Sequence, residues 1–199
     1  MPEIVIATNN AGKIGEFQRL LAGSGWRMRS PAELGLDFNP VEDGVGYAEN
    51  ALIKARSAHE LSSMAVLADD SGIEVDALGG EPGVHSARYA GEGASDSDNR
   101  AKLLSAIGAA APRTARFRCL LALIEPSGRE HIFEGVVEGS IARAERGSNG
   151  FGYDPIFEPE GMDRTMAELD ASLKDELSHR GRAARAALWV LRELAAHPI

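Results

Sequence analysis

Cysteine is almost absent: among 199 residues only Cys119 occurs, so no intrachain disulfide can form and a reducing compartment is permitted. Long apolar runs are absent too. The strongest, Cys119 to Ile124, falls far short of the roughly 20 residues that a membrane helix requires. No basic region precedes Glu3-Ile4-Val5-Ile6, so no signal peptide is visible. Aromatics are few, at 6%, and there is no internal repeat, low-complexity tract, or Gly/Ser or Pro linker. With 44% apolar residues the chain can build a real core, which excludes disorder, collagen and coiled coil. Lysine and arginine, 21 against 30 acidic residues for a net charge of −9, are too few for a general nucleic-acid binder. The five histidines lack zinc-ligand spacing, and no Gly-x-Ser-x-Gly elbow supports a serine hydrolase. The expectation is a soluble, cytoplasmic protein of one large domain, residues 1–199, or two lobes at most, with neither nucleic acid nor membrane as partner.

What is present is a mixed α/β pattern. Glu3 to Thr8 predicts a strand, and Ile14, Phe17, Leu20 and Leu21 repeat at helical spacing until Gly23 and Gly25. Residues 46–62 predict a helix with Ala48, Ala51, Leu52 and Ala55 on one face. A strand from Ala65 to Ala68 is expected to end at Asp69-Asp70-Ser71-Gly72, with Ile73 to Val75 starting another. Gly79 to Gly93 predicts a loop, and Asp96 or Ser97 a cap for a helix carrying Ala101, Leu104 and Ile107. Thr114 to Ile124 and Glu130 to Val137, around Pro126-Ser127-Gly128, predict a long hairpin. Ser140 to Ala142 can add a strand. Arg146 to Asp154 follows as a Gly-rich loop, Pro155 to Phe157 as a short strand and residues 179–195 as a final helix. The acidic excess is unevenly spread, with 16 carboxylates against 8 basic residues in residues 1–100 and 14 against 13 in residues 101–199.

Four constellations could carry chemistry. Thr8-Asn9-Asn10-Ala11-Gly12-Lys13 lies between a strand and a helix start, where amides and the helix dipole favour an anion and Lys13 adds positive charge. It is not a P-loop, since Ala7 stands at the first Gly position and Ile14 at the Ser/Thr. A polar turn that caps a helix has the same composition. Asp69 and Asp70 close an apolar strand, the usual place for ligand residues in α/β sheets. Their hard oxygens, with Glu42 from the loop before the second helix, suit Mg²⁺; an Asx-turn and a surface Glu would look alike. In Arg146-Gly147-Ser148-Asn149-Gly150-Phe151-Gly152-Tyr153-Asp154-Pro155, glycines allow close backbone approach, Phe151 and Tyr153 offer stacking faces, and Asp154 offers an acceptor. Aromatics that merely cover a core are the alternative. Lys174 and Ser178-His179-Arg180-Gly181 suit phosphate and a purine keto oxygen, or else a solvated basic helix face.

Together these blocks resemble one family: the inosine/xanthosine triphosphate pyrophosphatases, also called Ham1-like or RdgB-like. The resemblance runs through Ala7 to Lys13, Glu49-Asn50-Ala51-Leu52-Ile53-Lys54-Ala55, Ala68 to Ile73, Leu78-Gly79-Gly80, Pro82-Gly83, and Ser86-Ala87-Arg88-Tyr89-Ala90-Gly91. It continues through Gly150 to Phe157, Ala167-Glu168-Leu169 and Ser178 to Gly181. It implies an elongated α/β fold with two lobes around a central cleft, a homodimer, and Mg²⁺-dependent hydrolysis of non-standard purine triphosphates (dITP, ITP, XTP) to monophosphate and pyrophosphate. By the same resemblance Thr8, Asn9, Asn10, Ala11, Gly12 and Lys13 bind the triphosphate. Glu42 and Asp70 hold Mg²⁺, with Asp69 a further candidate, and Asp70 is the general base. Ser71 contacts substrate; Phe151, Gly152, Tyr153 and Asp154 form the base and sugar pocket; Lys174 touches the nucleotide; and His179 with Arg180 reads the purine. Ser172-Leu173-Lys174-Asp175 departs from the more acidic family pattern before this lysine. A nucleotide sensor without turnover and a phosphohydrolase of other modified triphosphates are the alternatives.

Overall fold

The computed structural model describes residues 1–109 and 112–197; residues 110, 111, 198 and 199, which the single-domain reading of 1–199 includes, lie outside them. The fold is mixed α/β. Its strands are β1 (Glu3–Ile6), β2 (Arg27–Arg29), β3 (Ala65–Val75), β4 (Thr114–Ile124), β5 (Glu130–Ile141) and β6 (Phe157–Pro159). They form one six-stranded sheet in the order β2-β1-β3-β4-β5-β6. β1 pairs in parallel with β2 and β3, and β5 pairs antiparallel with β6. The helices are α1 (Ala11–Leu20), α2 (Tyr47–Ser62), α3 (Asp96–Ile107), α4 (Ala171–Leu177) and α5 (His179–Ala196).

The chain divides into two compact units, the first of residues 1–70, 119–135 and 180–199, the second of 71–118 and 136–179. In the first unit β1 and the start of β3 alternate faces, as strand geometry requires. Ile4, Ile6 and Leu67 pack with Phe17, Leu21, Ala183, Ala187 and Leu191 of α1, its cap and α5. Val5, Ala7, Val66 and Ala68 pack with Ala51, Ala55 and Ala58 of α2. Strand residues buried on both faces are what a parallel sheet covered by helices needs. The small alanines of α2 let that helix lie close against these strands. Trp26 closes the first layer by donating from Nε1 to the Leu191 carbonyl at 2.7 Å. The second unit has its own core, in which Ile73, Val75, Leu103, Phe117, Ile141, Tyr153, Ile156, Phe157 and Leu169 pack together.

Several sequence expectations need correction. β3 does not end at Asp69 but continues through Asp70, Ser71 and Gly72 to Val75, because the two carboxylates find buried cationic partners and need no turn in water. The cap of α3 is Ser95, which forms a reciprocal capping box with Asp98. Ser140 extends β5 and makes no separate strand. Within Gly79 to Gly93 a 3-10 helix spans Gly83–Arg88. The expected strand at Pro155 is displaced to β6 by a 3-10 turn over Asp154–Ile156. β2 and α4 carry too little periodicity to read.

Candidate active site

In the first unit the turn after β1 is organised by its own side chains. Thr8 Oγ1 accepts from the Asn10 amide at 3.1 Å, and Asn10 Oδ1 accepts from the Lys13 amide at 3.1 Å, capping α1. Asn9 Nδ2 donates to the Phe38 carbonyl at 3.1 Å. Ala11 and Gly12 occupy the first turn of α1, where backbone N–H groups lack intrahelical partners and favour an anion. Lys13 then brings its Nζ to 3.1 Å from Asp69 Oδ2.

Asp69 is the centre of a buried charge cluster. Arg180, at the start of α5, donates to Asp69 Oδ2 from Nε at 3.2 Å and from NH2 at 2.9 Å, while its NH1 reaches Glu16 Oε2 at 2.6 Å. Burial alone would raise the Asp69 carboxyl, but Lys13, Arg180 and Lys54 outweigh it and hold the group well below the usual carboxylate range. Arg180 is likewise buried, yet Asp69 and Glu16 hold its guanidinium charge more firmly than in water. Cys119 lies 4.0 Å from Asp69 Oδ2; burial, with that carboxylate, pushes its thiol up to about 12.

Asp70, on the opposite face of the strand, meets a different set. Lys54 Nζ stands 3.1 Å from Asp70 Oδ1 and 2.6 Å from Glu42 Oε2, joining the two carboxylates. Asn50, one turn earlier on α2, donates from Nδ2 toward Asp70 Oδ2 at 3.4 Å and accepts the Gly44 amide on Oδ1 at 2.9 Å. Burial pushes the Asp70 carboxyl up, and Lys54 and Lys13 recover only part of that shift. Lys54 is also buried, but Asp70, Asp69 and Glu42 hold its ammonium above the ordinary lysine value. Among the described residues no group of three or more His, Cys, Asp or Glu could hold a metal ion. Two carboxylates converging on one cationic centre do fit a hard cation that takes one or two protein carboxylates and completes its shell with water and phosphate.

The second unit holds the remaining residues. Ser71 is half-buried on β3. The loop after Arg146 is folded on itself: Asp154 Oδ2 accepts from the Phe151 amide at 2.8 Å and pairs with Lys174 Nζ, which also sits 4.9 Å from the Phe151 ring centroid. A Cβ at Gly150 would come within 2.1 Å of Asp154 Oδ2, so only glycine lets the loop close over that carboxylate. Tyr153 is buried and donates to the Ser86 carbonyl at 2.7 Å. His179 stacks on Phe117 with centroids 4.7 Å apart and planes within 11°.

Lys13 is thus brought to Asp69, Glu42 to Asp70, and Phe151, Asp154 and Lys174 to one another. His179 and Arg180 are chain neighbours whose side chains serve different clusters: the imidazole lies on Phe117, the guanidinium on Asp69 and Glu16. Sequence reasoning missed Glu16, Asn50 and Lys54. The signal for Asn50 and Lys54 is their i, i+4 spacing on the alanine stripe of α2, where a polar residue needs a buried partner. Glu16 lies beside Phe17 on the buried face of α1.

The Ham1 family model matches residues 4–189. A dITP/XTP pyrophosphatase of Desulforamulus reducens is 47% identical over 197 residues, 98% of each chain. Among solved structures, the Staphylococcus aureus Ham1 protein superposes with a TM-score of 0.85 at 43% identity, covering 96% of this chain and 98% of that one. A HAM1 protein from Coxiella burnetii superposes with a TM-score of 0.87 at 42% identity, covering 97% and 100%.

Proposed function

This chain belongs to the Ham1 family, and from that premise we infer that it hydrolyses dITP, ITP and XTP to the monophosphate and pyrophosphate, cleansing the nucleotide pool. The observation that carries the reading is the arrangement of two charge-paired aspartates on one strand: Asp69 bound to Lys13, and Asp70 joined through Lys54 to Glu42. Water attacks the α-phosphorus, the bond from that phosphorus to the bridging oxygen breaks, pyrophosphate leaves with the electron pair, and the proton of the water passes to Asp70. A carboxylate raised by burial is the better proton acceptor of the pair. Asp69, whose charge is held by Lys13 and Arg180, keeps those cations in place and stays ionised. Lys13 and the amides of Thr8 to Gly12 balance charge on the phosphates.

Mg²⁺, held by Glu42 and Asp70, supplies Lewis-acid polarisation of the phosphate oxygens when bound. Lys54, positioned against both carboxylates, limits their mutual repulsion. Phe151 and Tyr153 flank the purine, Gly152 between them leaves room, Ser71 and Lys174 contact the nucleotide, and His179 favours a 6-oxygen over the amino group of adenine, since a donor facing a donor is left unpaired, while the adjacent Arg180 is engaged by Asp69 and Glu16. Residues 1–199 act as one domain, the chain pairs as a homodimer, and its place is the cytoplasm. No described helix is long and apolar enough to cross a membrane.

The test is product identification with ITP and Mg²⁺. The expected products are inosine monophosphate and pyrophosphate, and Asp70→Asn lowers kcat by roughly 10²–10⁴. Inorganic phosphate with a diphosphate left behind overturns the reaction type, and tight ITP binding without turnover makes the chain a sensor instead.

A further inference from the structure

The loop that carries Phe151 and Tyr153 has no strand or helix of its own, so something else must hold its backbone. Gly150 and Gly152 both have positive φ, 76° and 60°. At Gly150 the lack of a side chain is required by space; at Gly152 a Cβ would meet nothing within 4 Å, so there only the backbone angle requires glycine. A glycine is also the residue with most freedom to lose on being fixed. Its left-handed conformation persists because its two polar backbone groups are both gripped.

The grip comes from α3, more than fifty residues away in sequence. Asp96 Oδ2 accepts from the Gly152 amide at 2.7 Å, and Arg100 NH1 donates to the Gly152 carbonyl at 2.8 Å. Asp96 and Arg100 are spaced i, i+4, so one helix face presents both. Arg100 is itself held by Glu145, whose Oε2 accepts from NH2 at 3.0 Å, an ion pair that brings Oε1 to 3.0 Å from Nε as well. The capping box of Ser95 and Asp98 fixes the turn of α3 from which Asp96 projects. Around Gly152 the loop has other anchors: the Phe151 amide on Asp154, the Tyr153 hydroxyl on Ser86, and a turn bond from the Asp154 amide to the Phe151 carbonyl at 3.2 Å. None of these takes the N–H or C=O of Gly152 itself, the groups that Asp96 and Arg100 hold between the two aromatic residues.

We propose that Asp96 and Arg100 are positioning residues for purine recognition: by clamping the Gly152 backbone they hold Phe151 and Tyr153 in the register that receives the base. Neither touches the nucleotide; both act through Gly152. The proposal rests on the reading of Phe151 to Asp154 as the base pocket, and Phe151→Ala serves as the separate marker of that reading.

The experiment measures KM and kcat for ITP, inhibition by inosine monophosphate and by pyrophosphate separately, and thermal midpoints, for Asp96→Ala, Asp96→Asn, Arg100→Ala and Phe151→Ala. Asp96→Ala and Arg100→Ala are expected to raise KM and weaken inosine monophosphate inhibition about tenfold, the change a lost charge-assisted hydrogen bond produces. Pyrophosphate inhibition and kcat stay near the parent values, because pyrophosphate carries no base. Asp96→Asn keeps an acceptor oxygen and restores the parent behaviour. If Phe151→Ala weakens inosine monophosphate inhibition and the α3 variants do not, the clamp is overturned while the pocket stands. Equal weakening of both products overturns it as general loosening, whatever the thermal midpoint. If Phe151→Ala changes neither product, the pocket reading fails and takes the proposal with it.

Discussion

Asp69 and Asp70 are consecutive residues, both buried, yet their proton affinities move in opposite directions because β3 turns one toward Lys13 and Arg180 and the other toward Lys54 and Asn50. A carboxylate depressed in the folded state contributes stability that is fully present above its unfolded value, about 3.9, and is lost as pH falls toward the lower folded value. The stability difference between the parent chain and Asp69→Asn should therefore stay flat from pH 8 to roughly pH 5 and shrink below that unfolded value, as read by urea denaturation across pH. A difference that shrinks already at neutral pH would show that Asp69 is not the depressed group. At this scale the sequence was legible where chemistry is concentrated in a run, as at Thr8 to Lys13 or Asp69-Asp70. It was silent on Glu16 and Lys54, because a charged residue on a helix reads as solvated until the packing shows what it faces.

Among the elements, α2 does two jobs with one face. Its alanines lie on the sheet, and within the same stripe Asn50 ties the Gly44 backbone to Asp70. Asn50→Ala removes both contacts and leaves the N–H of half-buried Gly44 and a buried carboxylate oxygen short of a partner, a cost of about 1–3 kcal/mol. Thermal denaturation should show that loss, and the Mg²⁺ concentration for half-maximal activity should rise as the Glu42 loop loosens. Unchanged Mg²⁺ dependence with lowered stability would confine Asn50 to a structural role. The elements themselves were largely legible from periodicity: β1, α1, α2, α3, the β4 and β5 pair and α5 stand close to their expected places. The misreading at β3 has a physical source. Asp-Asp-Ser-Gly has turn composition, and only long-range partners such as Arg180, 111 residues from Asp69, let it continue as a strand.

For the whole molecule, two units were expected from resemblance, but their boundaries were illegible because they fall inside regular structure. The divisions after Asp70, Arg118 and Gly135 cut β3, β4 and β5, and the one after His179 cuts α5 at its first residue. No Gly, Ser or Pro linker marks them, and each unit is assembled from separate segments. Unbroken strands passing from one unit into the other favour a single cooperative transition. Both tryptophans, Trp26 and Trp189, belong to the first unit, so their fluorescence reports on that unit while far-UV circular dichroism reports on both. The two denaturation curves should coincide; separated midpoints would mean that the units unfold independently.

The net charge of −9 also acquires a finer meaning at this scale. Asp69, Asp70, Glu42 and Glu16 are neutralised locally by Lys13, Lys54 and Arg180, so the cluster itself is close to balance and the excess lies elsewhere. Cys119 has a different, practical use. Fully buried, with a thiol pushed up to about 12, it stays protonated and out of reach of a maleimide at neutral pH. A cysteine introduced at Trp189, which is 66% exposed, would then be the sole thiol to take a fluorophore, and intact-mass measurement should find one label per chain. The molecule is thereby a ready background for single-site dye attachment, with no native cysteine to remove first.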